Sequence, residues 1–82
     1  MNWKYIVFDM GMAGETPILF PSHVSHSDVA DAFKFSKVIS AGFVSYSDVE
    51  RAFRTWGKSD SLRIESREID ARCINRIFGK HL

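Results

Sequence analysis

Cysteine is nearly absent: the 82-residue chain carries one, Cys73, and cannot close an internal disulfide. Small secreted domains normally lean on several cystines to offset a small core, so the expected location is cytoplasmic. Neither charge sign dominates. Charged residues make up 26% of the chain and balance to +1, so no broad field for nucleic acid or an anionic membrane arises, and an electrostatic partner must meet a local patch. No run approaches the roughly 20 apolar residues that span a bilayer. The start, "MNWKYIVFDMGMAGETP", has one lysine and a short apolar run broken by Asp9, unlike a signal peptide. Proline occurs only at Pro17 and Pro21, and no catalytic or cofactor signature is present, so no cofactor is expected.

What the chain does have is 45% hydrophobic and 13% aromatic content, enough for one compact core and too little length for two domains. The expected unit is a single domain over 1–82, as a monomer or homodimer. "WKYIVFDM" from Trp3 to Met10 predicts a first strand, with Tyr5 and Val7 on one side and Ile6 and Phe8 on the other. Apolar residues on both sides imply a central or doubly covered position. "GMAGET" predicts a turn and "TPILFP" a short edge strand over Ile18 to Phe20, because proline lacks a ladder donor.

Two similar strings stand 20 residues apart: "SHSDVADAFK" from Ser25 and "SYSDVERAFR" from Ser45. The first predicts a helix, capped by Ser25 or Ser27, with Val29, Ala32 and Phe33 on one face. "KVISAGFVSY" predicts a third strand over Lys37 to Tyr46, in which Gly42 marks a bulge or a close backbone approach. In the second copy the local signals conflict. Ser47 with Glu50 makes a capping box, and Val49, Ala52, Phe53 and Trp56 follow helical spacing, yet "AFRTW" is rich in strand formers and Gly57 stops it. Further on, "SLRIES" alternates like a short strand. Ser66 is expected to cap a last helix over Arg67 to Phe78, with Ile69, Cys73, Ile74, Ile77 and Phe78 on its apolar face.

The strings "KYIVFDMG", "ETPILFP", "HSDVADAF", "VISAGFV" and "WGKSDSLRIESREIDARCINR" resemble a group of small proteins encoded by tailed phages and prophages of proteobacteria. The resemblance implies that Ala52 to Gly57 is strand-like and pairs with the third strand, which turns the second copy into a hairpin. The expected fold is therefore α+β, an antiparallel sheet of about four strands with two helices in the order β-β-α-β-β-α. The resemblance also implies a class of function, because early phage proteins of this size often inhibit or redirect host machinery, including defence systems such as CRISPR effectors.

Several constellations bear on chemistry. His23, His26 and Asp28 are metal-ligand types at close spacing, but a site needs three or four convergent ligands and only the distant Cys73 and His81 remain. Two surface histidines beside a helix cap account for them equally well. Cys73, set among Ile69 and Ile77, reads as a buried structural thiol. "GMAGET" lacks the lysine and following helix of a phosphate loop. The strongest patch is basic: Arg63, Arg67, Arg72, Arg76 and Lys80, the last three recurring at i, i+4 and i+8. Against it stands a solvated helix face partly neutralised by Glu65, Glu68 and Asp70. Aromatic residues are in surplus for a core this small, and Phe35 and Trp56 are the pair expected to remain partly exposed. The expected function is a non-catalytic binding protein that occupies a surface of a host protein or ribonucleoprotein complex, using these arginines with Phe35 and Trp56. The alternative is a small nucleic-acid-binding module on the same basic ridge.

Overall fold

The computed structural model describes residues 2–79. β1 (Asn2–Asp9) turns through one 3-10 turn (Gly11–Ala13) into β2 (Glu15–Pro21). α1 (His26–Ala32) follows, then β3 (Lys37–Ser47) and β4 (Ala52–Trp56) as a hairpin. Two-residue strands β5 (Lys58–Ser59) and β6 (Ile64–Glu65) precede α2 (Glu68–Phe78). β2, β1, β3 and β4 form one antiparallel sheet in that order, and β5 pairs with β6 in a second. The class is α+β, with a four-stranded antiparallel sheet and two helices. The expected order is not reproduced in full, because β5 and β6 intervene before α2.

β1 is central because both its faces are apolar. Tyr5 and Val7 join Val44 and Ile74 in one core cluster, facing α2. Ile6 and Phe8 join Phe20 and Ala41 in the other, packed with Val29 and Ala30 of α1 and with Leu62 and Ile64. Each fully buried side chain of this size contributes about 1.5–3 kcal/mol, so a strand with four consecutive buried residues, Tyr5 to Phe8, belongs inside the sheet.

β2 runs longer than the Ile18 to Phe20 expected, because its prolines sit in an edge strand where a missing donor costs no ladder bond. The pairing of β1 and β3 shifts register between Val7 and Phe8, so the bulge falls opposite that step and Gly42 is not part of it. Gly42 marks a close approach instead: a Cβ there would lie 2.6 Å from the carbonyl oxygen of Trp56 and 3.2 Å from Cβ of Ser66. Gly57, at φ +79°, lets the chain leave β4 and enter β5. Leu62 does not extend a strand, since its N–H donates to Ser59 Oγ within a turn.

At α1, Ser25 is the cap, its hydroxyl accepting from Asp28 N at 3.1 Å. At α2 the cap differs from expectation: Arg67 holds the cap position, and Ser66 Oγ donates instead to Gly57 O at 2.8 Å. On the outer side of β4, Asn75 of α2 accepts from Phe53 N at 2.7 Å and donates to Phe53 O at 3.1 Å. These bonds satisfy edge groups that would otherwise offer a template to another strand.

Candidate functional site

The inner side of α2 is organised by a buried carboxylate. Asp70 has no solvent exposure and accepts from four donors. Tyr5 Oη donates to Oδ2 at 2.5 Å and Arg67 N to the same oxygen at 2.8 Å. Ser40 Oγ and Arg67 Nε both donate to Oδ1 at 2.9 Å. Asp70 thereby reaches back from the third helical position to the N–H of the cap residue, which explains why a serine is not needed there. Arg67 extends outward from this cluster, and its Nη2 donates to Glu15 Oε1 at 2.8 Å. The contact with Glu15, more than that with Asp70, raises the Arg67 pKa against a smaller opposing effect of burial. Burial first, and Asp70 second, push the Tyr5 phenol far above its ordinary range.

A carboxylate has about four acceptor sites, and all of Asp70's are taken by fixed donors. Among the described residues no buried side-chain nitrogen or oxygen lacks a partner. The cluster therefore fastens α2 to β1 and β3 and links it through Arg67 to the start of β2.

The outer side of α2 is different in kind. Ile69, Arg72, Cys73 and Arg76 follow i, i+3, i+4 and i+7 and, with Glu15, line an open concavity of about 410 Å³. Ile69 is 51% exposed, and Cys73 is half-buried beneath the arginines. Its Sγ lies 3.9 Å from Glu15 O and 3.9 Å from Arg76 Nη2. Arg72 and Arg76 are exposed, and neither makes an ion pair among the described residues. Two guanidiniums free of ion pairs among the described residues thus stand beside an aliphatic ledge.

The expected site residues do not all converge. Arg72 and Arg76 share the concavity. Arg67 is folded back onto Asp70 and Glu15 and leaves the ridge. Arg63 is exposed in the loop between β5 and β6 and does not line the concavity, and Lys80 lies outside the described residues. Phe35, 95% exposed, sits in the loop after α1 with Lys34 Nζ 5.5 Å from its ring centroid. Trp56, 40% exposed, stacks on Phe43 with centroids 6.1 Å apart. Neither aromatic reaches the arginines' concavity.

The histidine cluster is not assembled. His23 and Asp28 are exposed, whereas His26 is buried and donates from Nε2 to Gly42 O at 2.9 Å. Its ring lies edge-on between Phe20 and Phe43, at 5.4 and 5.9 Å. Burial, with a smaller contribution from nearby Lys4, lowers its pKa below the ordinary 6.5. Among the described residues no group of three or more His, Cys, Asp and Glu side chains is placed to hold a metal.

Sequence reasoning missed Tyr5, Ser40 and Asp70 as a unit, and Asn75 as an edge cover. One signal was available: Asp70, Ile74, Ile77 and Phe78 share a helical face, so an acidic residue stood on an apolar stripe. Counting Asp70 as a solvated charge turned the helix wrongly and assigned Ile69 and Cys73 to the core. No protein-family model matches the chain, and neither the curated proteins nor the solved structures include a match.

Proposed function

We propose that this chain is a non-catalytic binding protein that acts by occupying a surface of a partner complex, and that the outer face of α2 makes the contact. The observation that carries this reading is the contrast between the two sides of α2. On the inner side, among the described residues, every buried side-chain nitrogen and oxygen has a partner, and the buried Asp70 carboxylate is held by four donors. On the outer side Arg72 and Arg76 make no ion pair among the described residues and stand next to an exposed Ile69, a combination that gains from covering. Arginine with adjacent apolar area is the composition enriched where protein surfaces meet.

The resemblance to phage and prophage proteins supports a host complex in the bacterial cytoplasm as the partner, with inhibition or redirection as the outcome and a defence effector as one such complex. Affinity capture from a host lysate, with mass-spectrometric identification, tests this when run beside the double variant Arg72→Glu/Arg76→Glu. One partner retained by the native protein and lost by the variant is the expected result. Equal recovery by both would end the assignment to α2. Binding to arbitrary DNA or RNA that collapses between low and moderate salt would replace it with the nucleic-acid reading.

A further inference from the structure

We infer that the α2 concavity takes an acidic, aliphatic segment of a partner protein: a stretch of chain that sets a carboxylate on Arg72 and Arg76 and an aliphatic side chain on Ile69 and Cys73. This rests on the binding role proposed above and names the chemistry of what is bound.

Charge complementarity chooses the sign. Arg67, the third guanidinium near the rim, is already engaged by Asp70 and Glu15, which leaves Arg72 and Arg76 as the arginines of the concavity without an ion pair among the described residues. They stand four residues apart on one helix, so two carboxylate oxygens, or two neighbouring acidic side chains, can be engaged along the ridge. The protein already displays this kind of contact at the edge of the same hollow, where the Glu15 carboxylate rests on Arg67 at 2.8 Å. Glu15 also gives the site a direction. It repels a second carboxylate at its own end and leaves the Arg76 end for the partner's acid.

The apolar half chooses between macromolecules. The apolar part of the lining is Ile69 and Cys73, aliphatic and soft, with no aromatic ring on which a base could stack. Phe35 and Trp56, which could stack bases, do not line it. Single-stranded nucleic acids draw about 1–3 kcal/mol per base from such stacking, so the site suits a peptide better than a polynucleotide. Its size, about 410 Å³ and open, admits one or two side chains of a segment lying across it.

The test is a titration of isotope-labelled protein, followed by amide chemical shifts, with four probes of equal length. The probes are a peptide with leucines set among glutamates, the same peptide with lysine for glutamate, the same with serine for leucine, and a single-stranded oligonucleotide. The glutamate–leucine peptide should shift Glu15, Ile69, Arg72, Cys73 and Arg76 saturably. The lysine peptide should not bind, and the serine peptide should bind several-fold more weakly. Arg72→Glu/Arg76→Glu should weaken binding at least about tenfold, as expected for two charge-assisted bonds. Arg72→Lys/Arg76→Lys should retain part of it. Lys34→Glu, on the loop after α1, should change it less than about twofold although it reverses a charge.

Shifts centred on Trp56 or Phe35, no saturable shifts, equal loss in Lys34→Glu, or tighter binding of the oligonucleotide at the same amides would each overturn the inference. If the peptide fails while lysate capture still depends on Arg72 and Arg76, the docking face stands and its acidic-aliphatic chemistry falls. If capture is independent of them as well, both fall.

Discussion

Replacing Asp70 by alanine should be the most damaging single change in the last helix. The substitution strands four donors: the Tyr5 hydroxyl, the Ser40 hydroxyl, the Arg67 backbone N–H and Arg67 Nε. Hydrogen bonds to a charged group contribute about 1.5–3 kcal/mol each, but they share one acceptor residue and do not add. Breaking a buried charge pair by removing one partner costs about 3–5 kcal/mol, and that is the range expected here. A chain of this length has a total stability of about 4–12 kcal/mol, so Asp70→Ala should remove about a quarter of it or more. At about 4–8 °C per kcal/mol the melting temperature should drop by roughly 20 °C.

Urea denaturation followed by far-ultraviolet circular dichroism and tryptophan fluorescence measures the effect. Asp70→Asn should also destabilise, because an NH2 group would then face fixed donors. Tyr5→Phe should cost about 1.5–3 kcal/mol alone and little more on top of Asp70→Ala, since the acceptor is already gone. The triple variant Tyr5→Phe/Ser40→Ala/Asp70→Leu should recover part of the loss, because it replaces two of the four stranded donors by apolar groups and leaves only Arg67 N and Nε without their acceptor. An Asp70→Ala protein within about 1 kcal/mol of the native one would refute the carboxylate as the fastening of α2, given the 3–5 kcal/mol expected.

Two further outcomes follow from neighbouring contacts. His26 is held neutral in the fold with its pKa lowered from 6.5, so the unfolded chain binds the extra proton first. Stability is then full above pH 6.5 and falls as pH drops through 6.5 towards the folded value. His26→Gln should flatten this acid limb in urea midpoints measured across pH, and an unchanged limb would place its origin elsewhere. Asn75→Ala removes two bonds to Phe53, at about 1 kcal/mol net each, so a loss of about 2 kcal/mol is expected. It also uncovers part of the outer side of β4, and light scattering should register more association than for the native protein.

The strands were legible wherever burial agreed with local preference. β1 declared its central place through two apolar faces, and β3 matched its expected span to within a residue. β2 was underestimated because prolines read as boundaries, whereas at an edge they are tolerated inside the strand. α2 was legible as a helix and misjudged in rotation. Ile69 and Cys73 look like core residues until Asp70 is recognised as facing inward, and nothing local says that Tyr5, 65 positions earlier, will donate to it. Arg72 and Arg76 were readable from spacing alone. The withdrawal of Arg67 was not, since its partner Glu15 comes from the other end of the chain. His26 illustrates the same limit: a histidine beside an N-cap looks solvated, and only the packing of Phe20 and Phe43 around it makes it a core residue.

The twin strings show how far a local signal reaches. Both carry the same cap contact: Ser25 Oγ accepts from Asp28 N, and Ser47 Oγ accepts from Glu50 N at 3.2 Å. The first continues as α1, where Val29 and Ala30 find the Ile6 and Phe8 cluster and the Phe33 ring packs tilted against Phe8 with centroids 5.0 Å apart. The second stops after one turn. Arg51 adopts φ +53°, Val49 is left 96% exposed, and Phe53 swings back so that its ring meets Tyr46 at 5.2 Å on the same face of the sheet. A helix of seven residues is too short to be stable without tertiary contacts, so neither copy decides its own conformation. What separates them is the preceding chain. The second copy emerges from an eleven-residue strand already paired with β1, and a short turn lets β4 return along it with little loop-closure cost. The first emerges from an edge strand whose prolines offer few donors for a further partner, and its apolar side chains can be buried only by folding as a helix over the sheet.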